Sequence, residues 1–323
     1  MTVLITGAAG FIGSHLTESL LANGHTVIGL DNFCDFYDPA IKEQNIAPSL
    51  ANPDFTLIRA DIRDVEAMNQ LFAKHKIDCL VHLAAMAGVR PSIKDPQLYT
   101  SVNINGTVNL LDACRHNDVK NVVFASSSSV YGNNKKVPFS ESDSVDLPIS
   151  PYAATKKAGE LLCHTYHHLF GMSISCLRFF TVFGPRQRPD LAIHKFSRKI
   201  VNEEVIDVFG DGTTKRDYTY ITDILDGIDK AIRYTCSGNR FDIFNLGESR
   251  TIDLKTMIAT IEKHLGKKAR KNQLPMQPGD VEQTFADVSK SKKILGYNPQ
   301  TSFDEGIALF VDWLRGEEKI GNR

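Results

Sequence analysis

The chain is expected to fold as an α/β protein: a doubly wound, parallel Rossmann sheet with a smaller C-terminal substrate-binding lobe. Three observations predict this. Short β-branched runs alternate with helix-period stretches through the first half, the pattern of repeated βα units on a parallel sheet. The first run opens into a glycine-rich turn, "TVLITGAAGFIG", at a strand-to-helix junction suited to a dinucleotide. After about residue 180 the alternation loosens into turn-rich segments. The expected division is therefore 1–180 for the dinucleotide-binding domain and 181–323 for the lobe, with room for later segments to return to the sheet.

Taken in order, "TVLIT" (2–6), "TVIGL" (26–30), "FTLIR" (55–59), "CLVHL" (79–83) and "VVFAS" (122–126) read as fully buried strands. Helical patterns at 12–23, 65–75 and 101–116 separate them, and further helices are expected near 191–203, 222–234, 253–264 and 304–315. The 323 residues are 42% hydrophobic and carry a formal net charge of −1, which argues against a nucleic-acid surface or a polybasic membrane patch. No apolar run approaches ~18 residues, so no membrane span is expected. The six cysteines are scattered without C-x-x-C spacing, as for free thiols in a reducing compartment. The opening lacks the basic n-region of a signal peptide, and a cytoplasmic protein is expected.

Gly7, Gly10 and Gly13 follow the first strand as GxxGxxG. Glycine permits a tight turn and close approach of a pyrophosphate, whose charge then meets the helix N-terminus through the backbone of Phe11 and Ile12. Asp31 ends the second strand about 20 residues on, where an acid suits a ribose diol or simply caps a loop. Asn32 and Phe33 follow it with no Arg or Lys to greet a 2′-phosphate, which favours NAD over NADP. Tyr152 and Lys156 lie four apart on one helical face, behind Ser150 and Pro151 as cap and first residue. A phenol has an ordinary pKa of about 10, and a nearby ammonium would favour its ionised form. "FASSSSVYG" ends the fifth strand with a hydroxyl cluster that reads as either a solvated loop or a sheet-edge site. His164 and His168 are four apart on the Tyr152 helix without a third ligand, so no metal site is expected.

With "TGAAGFIGSHL", "HLAAMAGVRPS", "NINGT", "SSSSVYG", "YAATK", "LRFFTVFGPR" and "PGDV" in this order, the chain resembles the extended short-chain dehydrogenase/reductase family, especially its sugar-nucleotide epimerases. The resemblance implies Ser127 as catalytic hydroxyl, Tyr152 as base and Lys156 as holder of the nicotinamide ribose and the Tyr152 pKa. It places Asp61 and Ile62 at adenine, Leu83, Ala84 and Ala85 along the cofactor, and Asn103 in support. It also implies NAD, a UDP-sugar partner and a homodimer built on the helices near 101–116 and after residue 150.

Ser127, Ser128 and Ser129 occupy the place where the family's dehydratases carry an Asp-Glu pair and its decarboxylases a Glu, so epimerisation is expected. "RFFTVFGPRQRPDLA" looks most like the members acting on UDP-glucuronate. By that resemblance Thr181 and Arg188 take the sugar carboxylate, a task suited to a guanidinium fork. Arg186 or Arg188 could instead pair with Asp190, and Arg90 could face the sugar or serve its loop. Arg216 and Asp280 match family positions that hold the UDP phosphates and ribose. UDP-glucose, a UDP-N-acetylhexosamine or its uronate, decarboxylation, and a non-catalytic NAD-binding regulator stand as alternatives.

Overall fold

The structure is a computed structural model that describes residues 1–275 and 281–321, the last four as helical backbone only. The chain begins β1 (Thr2–Thr6), α1 (Phe11–Ala22), β2 (Thr26–Asp31), α2 (Pro39–Leu50), β3 (Phe55–Arg59), α3 (Val65–Lys74) and β4 (Cys79–His82). Two short helices follow, α4 (Val89–Lys94) and α5 (Pro96–Thr100), then a π-helical turn at Ser101–Asn105 that runs into α6 (Gly106–His116). Next come β5 (Asn121–Ser127), a 3-10 turn at Ser128–Tyr131, α7 (Pro151–Phe170) and β6 (Ser173–Phe179). Beyond them lie β7 (Thr181–Phe183), α8 (Ala192–Val201), β8 (Val205–Phe209), β9 (Lys215–Arg216), β10 (Tyr218–Tyr220) and α9 (Ile221–Cys236). The chain closes with β11 (Phe241–Leu246), β12 (Ile252–Asp253), α10 (Leu254–Leu265), β13 (Arg270–Leu274), α11 (Ser289–Leu295) and α12 (Phe303–Gly321).

Among the described residues the central sheet has seven strands in the order β11-β6-β5-β4-β1-β2-β3, all paired in parallel. Alternate residues of one strand feed opposite layers. Val3 and Ile5 join a cluster with Leu16 and Leu20 of α1 and Ile224 and Ile228 of α9. Leu4, between them, joins Leu71 of α3 and Leu110 and Cys163 of α6 and α7. A sheet covered on both faces needs apolar residues at nearly every strand position, which is why the strand runs are continuous rather than alternating. The order reverses between β1 and β4, so a crevice opens at their carboxyl ends.

Three sequence expectations are corrected, one helix was not foreseen, and one later strand takes the return to the sheet that the sequence allowed for. "FTLIR" is not fully buried: β3 is the sheet's edge, pairs only with β2, and Thr56 and Arg59 are exposed. The 101–116 helix is split by the π-helical turn, and α12 runs on to Gly321. Helix α2 was not foreseen, although Asp38 accepts from Ala40 N–H and Pro39 opens the helix, a recognisable start signal; Pro48 in its last turn disguises it. After the lobe's first strands the chain re-enters the sheet, with β11 alongside β6 in full register. No described helix is long and apolar enough to cross a membrane.

Candidate active site

The turn between β1 and α1 is glycine by necessity. Gly7 has φ +72°, and a Cβ there would lie 2.9 Å from Ala84 N. At Gly13 a Cβ would sit 2.0 Å from Gly7 O. Gly10 heads α1 with no side-chain cap, so the first N–H groups of the helix have no side-chain acceptor. A close-packed, uncapped helix start of this kind suits a pyrophosphate. Asp31, almost fully buried, accepts from Ala9 N–H at 3.1 Å and Phe33 N–H at 2.8 Å. It braces the turn while lining the cavity, so the cap and ribose readings are compatible.

This cavity, about 390 Å³, runs from Gly7, Gly10, Phe11, Ile12 and Gly13 past Asp31, Asn32, Leu83 and Ala85 to Ser127, Ser128, Ser129, Tyr152, Lys156, Thr181 and Arg188. Residues from loops, strand ends and helix α7 thus share one space. A second cavity of about 220 Å³ adjoins at Ser128, Ser129 and Thr181, and Arg216, Val281 and Thr284 line its far side. Asp280 lies outside the described residues.

Tyr152 and Lys156 project from one face of α7, whose start is fixed by Ser150 Oγ accepting from Ala153 N–H at 3.1 Å. Lys156 Nζ donates to Ala125 O at 2.7 Å, and burial draws its pKa down to about 8. Burial raises the Tyr152 phenol above its ordinary value, while its hydrogen bond with Ser127 and the charge of Arg188 favour the ionised form. Those two groups oppose the desolvation of the phenol. Ser127 Oγ accepts from Ser129 N–H at 3.1 Å and lies 3.1 Å from Ser129 Oγ, so its one hydroxyl proton serves either Ser129 Oγ or the phenol.

The two arginines of the "GPRQRPD" turn separate. Arg186, at φ +61°, turns to α1 and pairs with Glu18 at 2.8 Å. Arg188 turns inward beneath Phe36, its guanidinium carbon 5.1 Å from the ring centroid. Its Nε and Nη2 donate to the two Asp190 oxygens at 2.9 and 2.8 Å. Asp190 occupies one edge of the fork, and the paired reading and the cavity-facing one hold together. Arg90 lies over the Phe209 ring at 5.3 Å and lines neither cavity.

Asn103, delivered by the π-helical turn, accepts from Met86 N–H and donates to Met86 O and to Thr155 Oγ1, between the two α7 residues. Ala84 stays beside Gly7, its N–H donating to Thr6 Oγ1. Asp61 is engaged by Arg63 and Asn32; the Arg63 hydrogen bond takes its pKa down to about 2. Ile62 packs in the core against Gly106, and its carbonyl accepts from Asn109.

The sequence reading missed Lys42, Tyr37 and Cys34, which line the large cavity. Lys42 Nζ donates to Cys34 O at 2.8 Å. It missed the buried pair behind α7 too, where Arg178 Nε and Nη2 donate to Glu160 at 2.8 and 2.9 Å and Ser126 Oγ donates at 2.6 Å. Glu160 stands four residues beyond Lys156, a spacing that could have found it.

Over residues 4–310 the chain matches the family model described as GDP-mannose 4,6 dehydratase. It is 42% identical over 311 residues to a UDP-glucuronate 4-epimerase of Thermodesulfobacterium geofontis, with 96% of this chain and 95% of that protein covered. It superposes on the crystal structure of a Bacillus cereus UDP-glucuronic acid 4-epimerase in complex with UDP-glucuronic acid and NAD. The TM-score is 0.92 and the identity 40%, covering 98% of this chain and all 100% of that one. A Thermotoga maritima UDP-glucose 4-epimerase, solved with UDP-glucose, gives a TM-score of 0.90 at 31% identity over 98% and 100% of the two chains.

Proposed function

The chain belongs to the extended short-chain dehydrogenase/reductase family, in the group described as GDP-mannose 4,6 dehydratase, and we propose that it is an NAD-dependent UDP-glucuronate 4-epimerase. It interconverts UDP-glucuronate and UDP-galacturonate through a transient 4-keto sugar. The observation that carries this reading is the shared cavity of Thr181 and Arg188 with Ser127, Tyr152 and Lys156. A carboxylate-matched cation therefore faces the same space as the base. The strand end before Val130 offers serines and no carboxyl group for dehydration or decarboxylation chemistry.

The residues present fit NAD: the Gly7 and Gly13 cradle, the uncapped α1 start and the Asp31 carboxylate line one continuous wall. When bound, NAD supplies a reversible hydride acceptor for the sugar carbon. Tyr152 takes the proton of the sugar's C4 hydroxyl and returns it after the ring has turned. Ser127 hydrogen-bonds the phenol and orients the reacting oxygen. Lys156 is held against Ala125 O within the same wall, where its ammonium can reach the nicotinamide ribose. Thr181 and Arg188 hold the C6 carboxylate. That hold also protects it, because the 4-keto form is a β-keto acid that loses CO₂ when the carboxylate bond lines up with the carbonyl π-system.

Arg216, on the wall of the smaller cavity, binds the diphosphate; by resemblance the nucleotide ribose falls to Asp280, which lies outside the described residues. Residues 1–180 with β11 carry the cofactor, and most of 181–323 carries the UDP-sugar. The six cysteines are free, which supports a cytoplasmic enzyme. Leu161, Leu169 and Phe170 of α7 are exposed apolar side chains, which supports a homodimer through α6 and α7. The test is incubation with UDP-glucuronate followed by proton NMR. UDP-galacturonate is expected; accumulation of UDP-xylose alone, or no turnover, sinks the reading.

A further inference from the structure

Asp217 sits between β9 and β10, fully buried, one residue beyond Arg216. Its carboxylate accepts from three backbone N–H groups on two other segments: Glu248 at 2.8 Å, Ser249 at 3.0 Å and Ala286 at 3.1 Å. Its own N–H donates to Thr284 Oγ1 at 3.2 Å, and its carbonyl accepts from Thr181 N–H at 3.0 Å. One residue thereby ties the start of β7, the turn after β11 and the 284–286 segment together.

The site shows signs of being built for this. Ser249 is held at φ +58°, a backbone state that a non-glycine residue keeps only where its surroundings impose it. Its Oγ donates to Ala286 O at 3.0 Å. At Gly247 a Cβ would lie 2.5 Å from Ala286 Cβ and 3.2 Å from both Asp217 oxygens, so only glycine lets the turn reach the carboxylate. Three of the residues joined or flanked by Asp217, namely Thr181, Thr284 and Arg216, line the 220 Å³ cavity. Asp217 itself lines neither cavity.

We propose that Asp217 is a positioning residue that fastens three chain segments into the wall of the smaller cavity, and so sets how tightly the nucleotide half of the substrate is held. It acts on the nucleotide half through Arg216 and Thr284, anchors only the backbone of Thr181 at the sugar end, and leaves the reacting carbon to the α7 residues. An anion does this better than any neutral side chain, because both oxygens must accept from backbone N–H groups. Asparagine would turn an NH₂ toward at least one of those donors and leave it unpaired.

This proposal rests on the UDP-sugar reading, and the experiment separates the two. In a Tyr152→Phe background, UDP-glucuronate binds without turning over and its Kd is measured by calorimetry. Asp217→Asn is expected to raise that Kd at least tenfold. In the Tyr152 enzyme the same substitution raises KM similarly and leaves kcat at saturation within about threefold. Gly247→Ala, which pushes the 286 segment outward without altering any charge, is expected to raise Kd about three- to tenfold. It keeps the test open should Asp217→Asn fail to fold, as thermal melting would reveal. Unchanged Kd in a folded variant, or a kcat loss as large as the KM rise, overturns the proposal. Should the Tyr152→Phe parent fail to bind UDP-glucuronate at all, the substrate reading falls first and takes this role with it.

Discussion

Arg188 uses only one edge of its guanidinium on Asp190, through Nε and Nη2. The end-on edge remains for a second, planar acceptor, and a fork of this shape is matched by a carboxylate and not by a hydroxymethyl group. Asp190 is therefore better understood as the clamp that fixes the plane of the guanidinium than as its competitor. Charge-assisted hydrogen bonds contribute roughly 1.5–3 kcal/mol each, so Arg188→Gln should lower kcat/KM on UDP-glucuronate by roughly 10- to 100-fold. The same variant should release a larger share of its turnovers as CO₂, measured as UDP-pentose in the NMR assay. An unchanged product ratio with intact turnover would remove Arg188 from the carboxylate's surroundings. At this scale the sequence was informative about residue type and poor about direction. Two arginines two positions apart look equivalent on paper, but the left-handed backbone at Arg186 turns its side chain to Glu18 while Arg188 faces inward.

Elements are locked to one another by buried polar chains. Thr107 Oγ1 donates to Asn103 O at 2.7 Å, so it accepts from His82 Nε2, and His82 Nδ1 in turn accepts from Thr6 Oγ1 at 2.8 Å. Thr6 Oγ1 also accepts from Ala84 N–H. This neutral-imidazole relay joins β1, β4 and α6 under the cofactor turn. Burial, with a smaller contribution from the charge of Lys156, takes the His82 pKa down to about 3, against about 6.5 in an unfolded chain. The unfolded state then binds a proton through that interval while the folded state does not. Stability is complete above about pH 6.5 and falls by about 1.4 kcal/mol per pH unit below it from this group alone. Urea midpoints at pH 7 and 5 should show the decline. His82→Asn should be less stable at pH 7 and show a flatter acid slope; a slope as steep as that of the parent would refute the relay. Glycine spacing and the Ser-Pro helix start were legible because they are local. The relay was not, nor was Arg178 as the partner of Glu160, since these groups lie 25, 76 and 18 positions apart and meet only through the sheet.

At the scale of the whole molecule, the alternation of strands and helices revealed the sheet because the connections from β1 through β4 are short and local. What it could not reveal was which later segment returns to that sheet. "FDIFNL" differs little from the lobe's own short strands until β6 is beside it. The exposed apolar side chains of α7 belong to this scale as well. Gel filtration with light scattering should give a particle of twice 35.9 kDa, and Leu161→Glu with Leu169→Glu should convert it to a monomer. A monomeric parent would leave that face for some other purpose.

The placement of β11 sets an order on how the protein is made. A ribosome releases β1 to β6 early, yet β6 remains a bare edge until Leu246 has emerged, because its neighbour is encoded after the first strands of the lobe. Until then Ile174, Cys176 and Leu177, buried in the finished protein, sit on a strand with one row of backbone groups unmatched, the condition that invites pairing with a stranger. The nascent sheet therefore waits for a segment that belongs, by position in the chain, to the other half of the molecule. The proposed division of labour between cofactor and sugar binding does not translate into two separately completed pieces of polypeptide.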